Sequence, residues 1–297
     1  MVNLKVGGLE QLSLGELQGA NQQLAVDNPG ENTPIGYKNV ACLVVNYSTP
    51  DDLKRCINSA WEHEGPMFWF VYQNLHPEQG IRDANHRATL EAITGRSQWT
   101  MVQSGKENYG HGFGINRAAE TASFWVKPDY LFLVNPDVAW TEPVIGDLIR
   151  FLEEHPKAAA VGPKQMNSDH RITAGGIFGT MEQPKHRYWL HHDPKNLKAR
   201  DTFQAPTIAG SAMLVPTKVF NELGGLLESH HYYSETWFNY HAQAHGYEIW
   251  YYGEPWMIHE WHRSSPKGSP LSDGRMKEDR ELFRKKCDEH DPPIPHD

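Results

Sequence analysis

Short apolar runs alternate with longer amphipathic stretches from about residue 40 onward. The uninterrupted apolar runs "VACLVVNY" (40–47), "MFWFVYQN" (67–74) and "YLFLV" (130–134) predict buried strands, and shorter runs predict strands at 99–104 and 158–164. Between these runs, apolar residues recur at helical spacing in "STPDDLKRCINSAWEH", in 81–94 and in 115–126. A further helix is predicted in "TEPVIGDLIRFLEEHP" (141–156), with Thr141 as its cap. This regular alternation of strands and helices predicts an α/β fold whose central sheet is mostly parallel and flanked by helices.

The alternation changes after residue 165. Longer loops separate two further predicted strands (207–216 and 247–258), a helical stretch follows Tyr233, and a charged helix and a proline-rich tail end the chain. We therefore divide the chain into an N-terminal extension and linker (1–37), a main domain (38–265) and a C-terminal helix and tail (266–297). Within the main domain we expect a ligand-binding half (38–165) and a mixed half (166–265).

Composition narrows the functional classes without choosing one. The chain has 297 residues, of which 39% are hydrophobic and 22% charged, an ordinary globular balance. No apolar run approaches the roughly 20 residues of a membrane span, and the N-terminus lacks the basic, apolar and small-residue order of a signal peptide. The three cysteines have no metal-binding spacing. We therefore expect a cytoplasmic protein with no membrane span. A net charge of −9 weighs against nucleic acid as a partner, although a local basic patch would not be visible in this total.

The run 130–134 ends in Asn135-Pro136-Asp137. Pro136 stops further pairing through its own nitrogen, so Asp137 should lie just beyond the carboxyl end of a strand, where open α/β sheets bind ligands. A plain turn is the alternative, because Asn, Pro and Asp are all turn formers. The second candidate is "NYGHGFGIN" (108–116), which is glycine-rich ahead of a helix but lacks the Gly-Lys-Ser/Thr ending of a P-loop. It suits either a flexible loop or a close approach to phosphate.

Four segments in order carry a family resemblance: "VVNYSTPDDLKRCINSAW", "NYGHGFGINRAAETA", "FLVNPDV" and "IAGSAMLVPTKVFNELGGLLESHHYYSETWF", the last followed by "MIHEWHRSS". Together they resemble the family 2 inverting glycosyltransferases of the GT-A fold, particularly the rhamnosyltransferase-like branch, over about residues 40–265. The resemblance implies a Rossmann-like GT-A sheet. It also implies a metal-dependent transfer of a sugar from a nucleotide-diphosphate donor to a hydroxyl acceptor. On this interpretation residues 38–165 bind the nucleotide sugar and residues 166–265 bind the acceptor.

The resemblance also implies a set of site residues. Asp137 and His259, with His262 as a second choice, match positions that hold Mn²⁺ or Mg²⁺ at the diphosphate. Either Tyr72 or Gln73 stands where the family usually has an aspartate that reads the base, and we take Gln73 as the candidate donor contact. We expect a UDP- or dTDP-linked donor rather than a GDP-linked one. The remaining donor contacts that the resemblance implies are Asn46, Tyr47, Asn108, Gly110 and Asn116. Asn135 either shapes the turn or contacts the donor sugar, and Arg263 is either a bidentate partner of the diphosphate or a solvated arginine.

The catalytic base departs from the family pattern. Thr236 occupies the position of the family's catalytic aspartate, and threonine cannot accept the acceptor's proton as a base. Glu235 matches the adjacent glutamate, and we expect it to be the base; Glu228 and loss of activity are the alternatives. Two other functions stay open: a non-catalytic module that binds sugar nucleotides or glycans, and a glycosyltransferase that acts on modified DNA bases. The sequence does not predict the sugar, the acceptor (glycan, protein or other) or the oligomeric state.

Overall fold

The computed structural model describes residues 3–5, 39–47, 49–74, 76–93, 100–105, 107–179, 184–193, 199–228, 231–260 and 270–296. Its strands are β1 (Asn3–Lys5), β2 (Val40–Asn46), β3 (Phe68–Gln73), β4 (Thr100–Ser104), β5 (Tyr130–Val134), β6 (Val138–Trp140), β7 (Ala158–Met166), β8 (Ile172–Ala174), β9 (Ile177–Gly179), β10 (Pro184–His186), β11 (Thr202–Gln204), β12 (Ala212–Pro216) and β13 (Glu248–His259). Its helices are α1 (Pro50–Glu64), α2 (Gln79–Ile93), α3 (His111–Trp125), α4 (Ile145–Glu154), α5 (Thr217–Glu222), α6 (Ser234–Ala244) and α7 (Pro270–Glu289).

One central sheet runs through both predicted halves of the main domain, in the order β1-β4-β3-β2-β5-β12-β7-β13-β11. The pairs β4–β3, β3–β2, β2–β5 and β7–β13 are parallel, whereas β12 is antiparallel to both of its neighbours. The structure confirms the predicted α/β class with a mostly parallel central sheet. The carboxyl ends of β2, β3, β4 and β5 therefore meet at one edge of the sheet.

Alternating side chains of the sheet pack into two apolar layers. On one face Val44, Trp69 and Phe132 pack with α1 and α4, and on the other face Leu43, Phe70 and Leu133 pack with α3. Strands that are buried on both faces need uninterrupted apolar sequences, which explains why these runs were visible in the sequence. The cysteines Cys42, Cys56 and Cys287 are free and buried.

The two ends of the chain both contact the main domain. Residues 3–5 form an edge strand antiparallel to β4, within the part of the chain that the sequence analysis assigns to an N-terminal extension and linker. Helix α7 packs through Phe283 and Cys287 against Tyr233, Trp237 and Tyr240 of the α6 region. Among the residues that the structure describes, no helix is long and apolar enough to cross a membrane.

Candidate active site

Polar residues at two strand ends are joined by hydrogen bonds at the carboxyl edge of the sheet. Asn46, the last residue of β2, is fully buried, and its Oδ1 accepts a 3.1 Å hydrogen bond from the Thr49 hydroxyl. The carbonyl oxygen of Asn46 also accepts a 3.0 Å hydrogen bond from the backbone N–H of Asn74, just after β3. Because the Nδ2 group of Asn46 is buried without a hydrogen-bond partner, a donor remains directed at this edge.

Asn74 also connects this edge to the glycine-rich segment ahead of α3. Its Nδ2 donates to the carbonyl oxygen of Gly110 at 3.1 Å, and its Oδ1 accepts from the backbone N–H of Tyr109 at 3.1 Å. Gly110 has φ 91°, a conformation that favours glycine, and its N–H donates to Asn108 Oδ1 at 3.1 Å. The sequence analysis included Asn74 in the predicted strand 67–74 but gave it no role, because nothing in a single sequence shows that its amide bridges to residues 109 and 110.

A cavity of about 230 Å³ lies at the same edge. The rings of Tyr47 and His76 are 5.5 Å apart on its wall, tilted by 35°. Two guanidinium groups, an amide and a carboxylate supply the polar lining, and the full set of lining residues is Tyr47, His76, Pro77, Arg82, Glu107, Asn108 and Arg275. Aromatic faces together with cationic side chains suit a nucleoside phosphate. Sequence reasoning missed Arg275, because α7 follows the strand ends by more than a hundred residues.

Two of the expected donor residues make contacts elsewhere. The Nδ2 of Asn116 donates to the carbonyl oxygen of Leu226 at 2.9 Å, and its Oδ1 accepts from the N–H of Leu226, so this amide ties α3 to the loop before α6. The Nε2 of Gln73 donates to the Thr89 hydroxyl and to the carbonyl oxygen of Asn85, inside the packing of β3 against α2. The structure therefore gives both side chains packing partners away from the cavity.

Asp137 and His259 come together because β6 pairs antiparallel with the end of β13. The register sets Val138 opposite His259, and the Asp137 Oδ1 lies 3.5 Å from the His259 Nε2. Both residues are buried, and the Nδ1 of His259 has no hydrogen-bond partner. Arg55 contributes a further positive charge, and its guanidinium donates to the carbonyl oxygen of Asp137 at 3.3 Å.

The electrostatics keep the Asp137 carboxylate ionised. Burial alone would raise its pKa, but the hydrogen bond and charge of His259, with Arg55 nearby, outweigh burial and leave the pKa below its usual range. An ionised carboxylate oxygen and an imidazole nitrogen are ligands that Mn²⁺ accepts, with the remaining positions left for water or phosphate oxygens. The carboxylate of Asp137 and the imidazole of His259 therefore fit a divalent cation as ligands.

Glu235 lies in the first turn of α6, beside the start of β12. Its side chain packs on the backbone of Gly210: a Cβ atom added at residue 210 would lie 2.5 Å from the Glu235 Cγ. The next residue, Ser211, accepts a 2.9 Å hydrogen bond from the N–H of Asn135 through its carbonyl oxygen. This chain of contacts brings Glu235 to the edge of the sheet that also carries Asn135 and Asp137.

His111 faces Glu235 from the first turn of α3 and was missed by the sequence analysis. Burial lowers the pKa of the His111 imidazole, and the negative charge of Glu235 opposes this effect. The Nε2 of His111 is buried without a hydrogen-bond partner. The alternative base Glu228 is instead engaged, because its Oε1 accepts from Asn116 and pairs with Arg117 at 3.1 Å. His262 and Arg263 lie outside the described residues.

Comparisons with known proteins bear on the fold of this chain. No protein-family model matches the sequence. The N-acetylglucosaminyl-diphospho-decaprenol L-rhamnosyltransferase of Mycobacterium tuberculosis, from strains CDC 1551 / Oshkosh and ATCC 25618 / H37Rv, is 26% identical over 148 residues. The match covers 43% of this chain and 48% of that protein, so the chain spans about half the length of the curated relatives it matches.

Three solved structures share the fold. GalNAc-T7 with UDP, GalNAc and Mn²⁺ has a TM-score of 0.60 at 12% identity, over 82% of this chain and 48% of that chain. The mannosyltransferase PcManGT from Pyrobaculum calidifontis, with GDP-Man and Mn²⁺, has a TM-score of 0.56 at 14% identity, over 85% and 64%. S. aureus TarS 1-349 has a TM-score of 0.55 at 13% identity, over 85% and 66%. The chain therefore has the predicted GT-A fold.

Proposed function

We propose that this chain, which has the GT-A fold, is an inverting glycosyltransferase that moves a sugar from a nucleotide-diphosphate donor to a hydroxyl group of its acceptor. The observation that carries the proposal is the common position of the Asp137–His259 pair and Glu235 at one edge of the sheet. The relative named as a rhamnosyltransferase supports this class of reaction, and so do the structures with UDP or GDP-Man and Mn²⁺.

The donor nucleotide would occupy the cavity beside Tyr47 and Asn108. Base stacking on the Tyr47 and His76 rings needs no charge, whereas Arg82 and Arg275 can neutralise phosphate oxygens. The buried Nδ2 of Asn46 is free to donate to a bound group. We expect a UDP- or dTDP-linked donor, and the acceptor hydroxyl belongs to a glycan, a protein or another molecule that the site geometry does not identify.

Asp137 and His259 would hold Mn²⁺ or Mg²⁺ against the diphosphate. A bound divalent cation would neutralise the negative charge that develops on the leaving diphosphate. Arg55 lies beside this pair and holds the Asp137 turn through its carbonyl oxygen. Removing the Asp137 carboxylate should therefore weaken cation and nucleotide binding together.

Glu235 is the proposed general base. Its carboxylate accepts the proton of the acceptor hydroxyl while the hydroxyl oxygen forms a bond to the anomeric carbon. The bond from that carbon to the diphosphate oxygen breaks on the opposite side, and its electron pair leaves with the nucleoside diphosphate, which inverts the anomeric configuration. Threonine at 236 is no obstacle, because a single carboxylate suffices for this proton transfer. His111 would position Glu235 rather than react.

The test is release of nucleoside diphosphate from UDP-, dTDP- and GDP-sugars with Mn²⁺ and water as the acceptor. We expect one donor class to be cleaved, with release abolished by chelator and lowered at least about 100-fold by Glu235→Gln. The matched control is Glu228→Gln, which removes the alternative base and should leave most of the rate. Nucleotide affinity, measured on both variants, separates catalysis from binding.

Two results would contradict the proposal. Equal rates for the wild type and Glu235→Gln would show that another residue is the general base. Tight nucleotide binding without release from any donor would favour the non-catalytic binding module, the function that the sequence left open at Thr236.

A further inference from the structure

Three histidines converge at the far end of α6, away from the sheet edge described above. His241 and His245 are four residues apart on α6 and therefore share one helix face, and His290 follows the last turn of α7. One ring nitrogen from each residue lies within 4.8 Å of the corresponding nitrogen of the other two. The ring centroids of the three pairs are 4.5, 5.1 and 5.6 Å apart.

Hydrogen bonds fix which nitrogen two of these rings present. The Nδ1 of His245 lies 2.9 Å from the carbonyl oxygen of His241, and the Nδ1 of His290 lies 2.7 Å from the carbonyl oxygen of Pro292. Because a carbonyl oxygen only accepts, each Nδ1 carries the proton, and each Nε2 of the neutral ring is left with a lone pair. Backbone carbonyls orient metal-binding histidines in the same way.

His241 supplies the third ring nitrogen. Its Nδ1 is buried without a hydrogen-bond partner, a costly arrangement for a polar atom unless something binds it. The ring of Trp237 stacks on the His241 ring at 5.0 Å and restrains its orientation.

We propose that His241, His245 and His290 form a binding site for a borderline transition-metal cation, with Zn²⁺ as the expected occupant. Three imidazoles suit Zn²⁺ and suit Mg²⁺ poorly, and a three-histidine set leaves one tetrahedral position for water. Zn–N bonds of about 2.0–2.1 Å require nitrogens about 3.3 Å apart, so small ring rotations bring the three nitrogens into range. His245 is exposed, which gives the ion an entry path.

The cation would fasten the C-terminal helix to α6. Helix α7 runs alongside α6 in the same direction. The Asp279 carboxylate accepts hydrogen bonds from the N–H groups of His231 and Tyr232, just before α6, and His290 lies beside the last turn of α6. Between these points the apolar contact is centred on Phe283 and Cys287. Metal binding should therefore stabilise the α6–α7 pair. This inference does not depend on the proposed glycosyltransferase activity, which uses the other end of α6.

The test is titration of metal-free, full-length protein with Zn²⁺ by calorimetry, with Co²⁺ as a spectroscopic probe. The wild type should bind one Zn²⁺ at this site and give the intense visible absorption of four-coordinate Co²⁺. Saturating Zn²⁺ should raise Tm by about 5 °C or more. The double variant His245→Gln/His290→Gln should lose the Co²⁺ absorption and the Zn²⁺-dependent rise in Tm.

Two controls separate this site from others. His191→Gln, at an exposed histidine outside the cluster, should behave as the wild type. Asp137→Asn should leave the Co²⁺ absorption intact, which distinguishes the cluster from the Asp137–His259 pair. Zn²⁺ binding and Co²⁺ absorption that are unchanged in the double variant, or absent from the wild type, would overturn the proposal.

Discussion

Asn74 joins three separate segments at the nucleotide edge. Its backbone N–H donates to Asn46, and its amide group accepts from Tyr109 and donates to Gly110. All of these groups lie at or near the proposed donor site, and Asn74 itself is only 3% exposed. The side chain therefore fixes the shape of the segment that begins α3.

Asn74→Ala should destabilise the protein and weaken nucleotide binding. The substitution leaves the Tyr109 N–H and the Gly110 carbonyl without their partner, at a cost of about 2 kcal/mol in the free energy of unfolding. Urea denaturation and nucleotide titration check both effects. Asn221→Ala, at an exposed asparagine, should change neither quantity measurably. Unchanged nucleotide affinity in Asn74→Ala would show that the segment holds its shape without this amide.

Sequence reasoning at this scale was strongest where a motif has a defined place in the chain. Asp137 was chosen because it follows a strand end and Glu235 because it matches a position of the resembled family, and the two residues lie at the same edge of the sheet. Gln73 could not be judged in the same way, because a glutamine that ends a strand can face either layer of the sheet. Its contacts with Thr89 and Asn85 depend on how α2 packs, which no local pattern encodes.

Helix α4 shows how an element can be predicted while its stabilising contact is missed. The sequence suggests Thr141 as the cap of this helix, but Thr141 is exposed, and no side-chain cap bond forms at the start of α4. The buried Glu64, at the end of α1, accepts instead from the N–H groups of Val144 and Ile145 and from the Trp140 indole. A carboxylate at a helix N-terminus also interacts favourably with the helix dipole.

Glu64→Ala should lower the free energy of unfolding by about 3 kcal/mol, because three buried donors lose their acceptor. Thr141→Ala should change it by less than about 0.5 kcal/mol, as expected for an exposed position without such contacts. Denaturant unfolding of the two variants side by side measures the difference. Equal destabilisation by both substitutions would contradict the assignment of the helix cap to Glu64 alone.

The predicted boundaries of two elements, β12 and α3, differ from the observed ones because tertiary contacts set them. The predicted strand 207–216 is regular only at Ala212–Pro216, because Thr207 and Ile208 accept hydrogen bonds from Asn239 of α6. Helix α3 begins at His111, four residues before the predicted start, since Gly110 at φ 91° turns the chain directly into the helix. The long apolar strands were located within a residue or two, because burial on both faces leaves little freedom in their sequence.

At the scale of the whole molecule, the net charge of −9 conceals a local arrangement that suits an anionic ligand. Arg82 from the start of α2 and Arg275 from α7 line one cavity, and Arg55 lies beside the Asp137–His259 pair. The sequence order of motifs predicted the GT-A fold, which the solved structures bear out. It could not predict that the C-terminal helix contributes to the cavity, because that contact spans distant parts of the chain.

The measurement that tests the central claim most directly is calorimetric titration of UDP, dTDP and GDP, with and without Mn²⁺. The variants are Asp137→Asn and, as a matched control, Asp147→Asn, which removes a carboxylate from the α4 surface. We predict that one nucleotide binds preferentially, that binding requires Mn²⁺, and that only Asp137→Asn weakens it, by at least about tenfold or 1.4 kcal/mol. Binding that ignores both Mn²⁺ and Asp137, or no binding at all, would contradict the donor site and leave Asn135-Pro136-Asp137 as a plain turn.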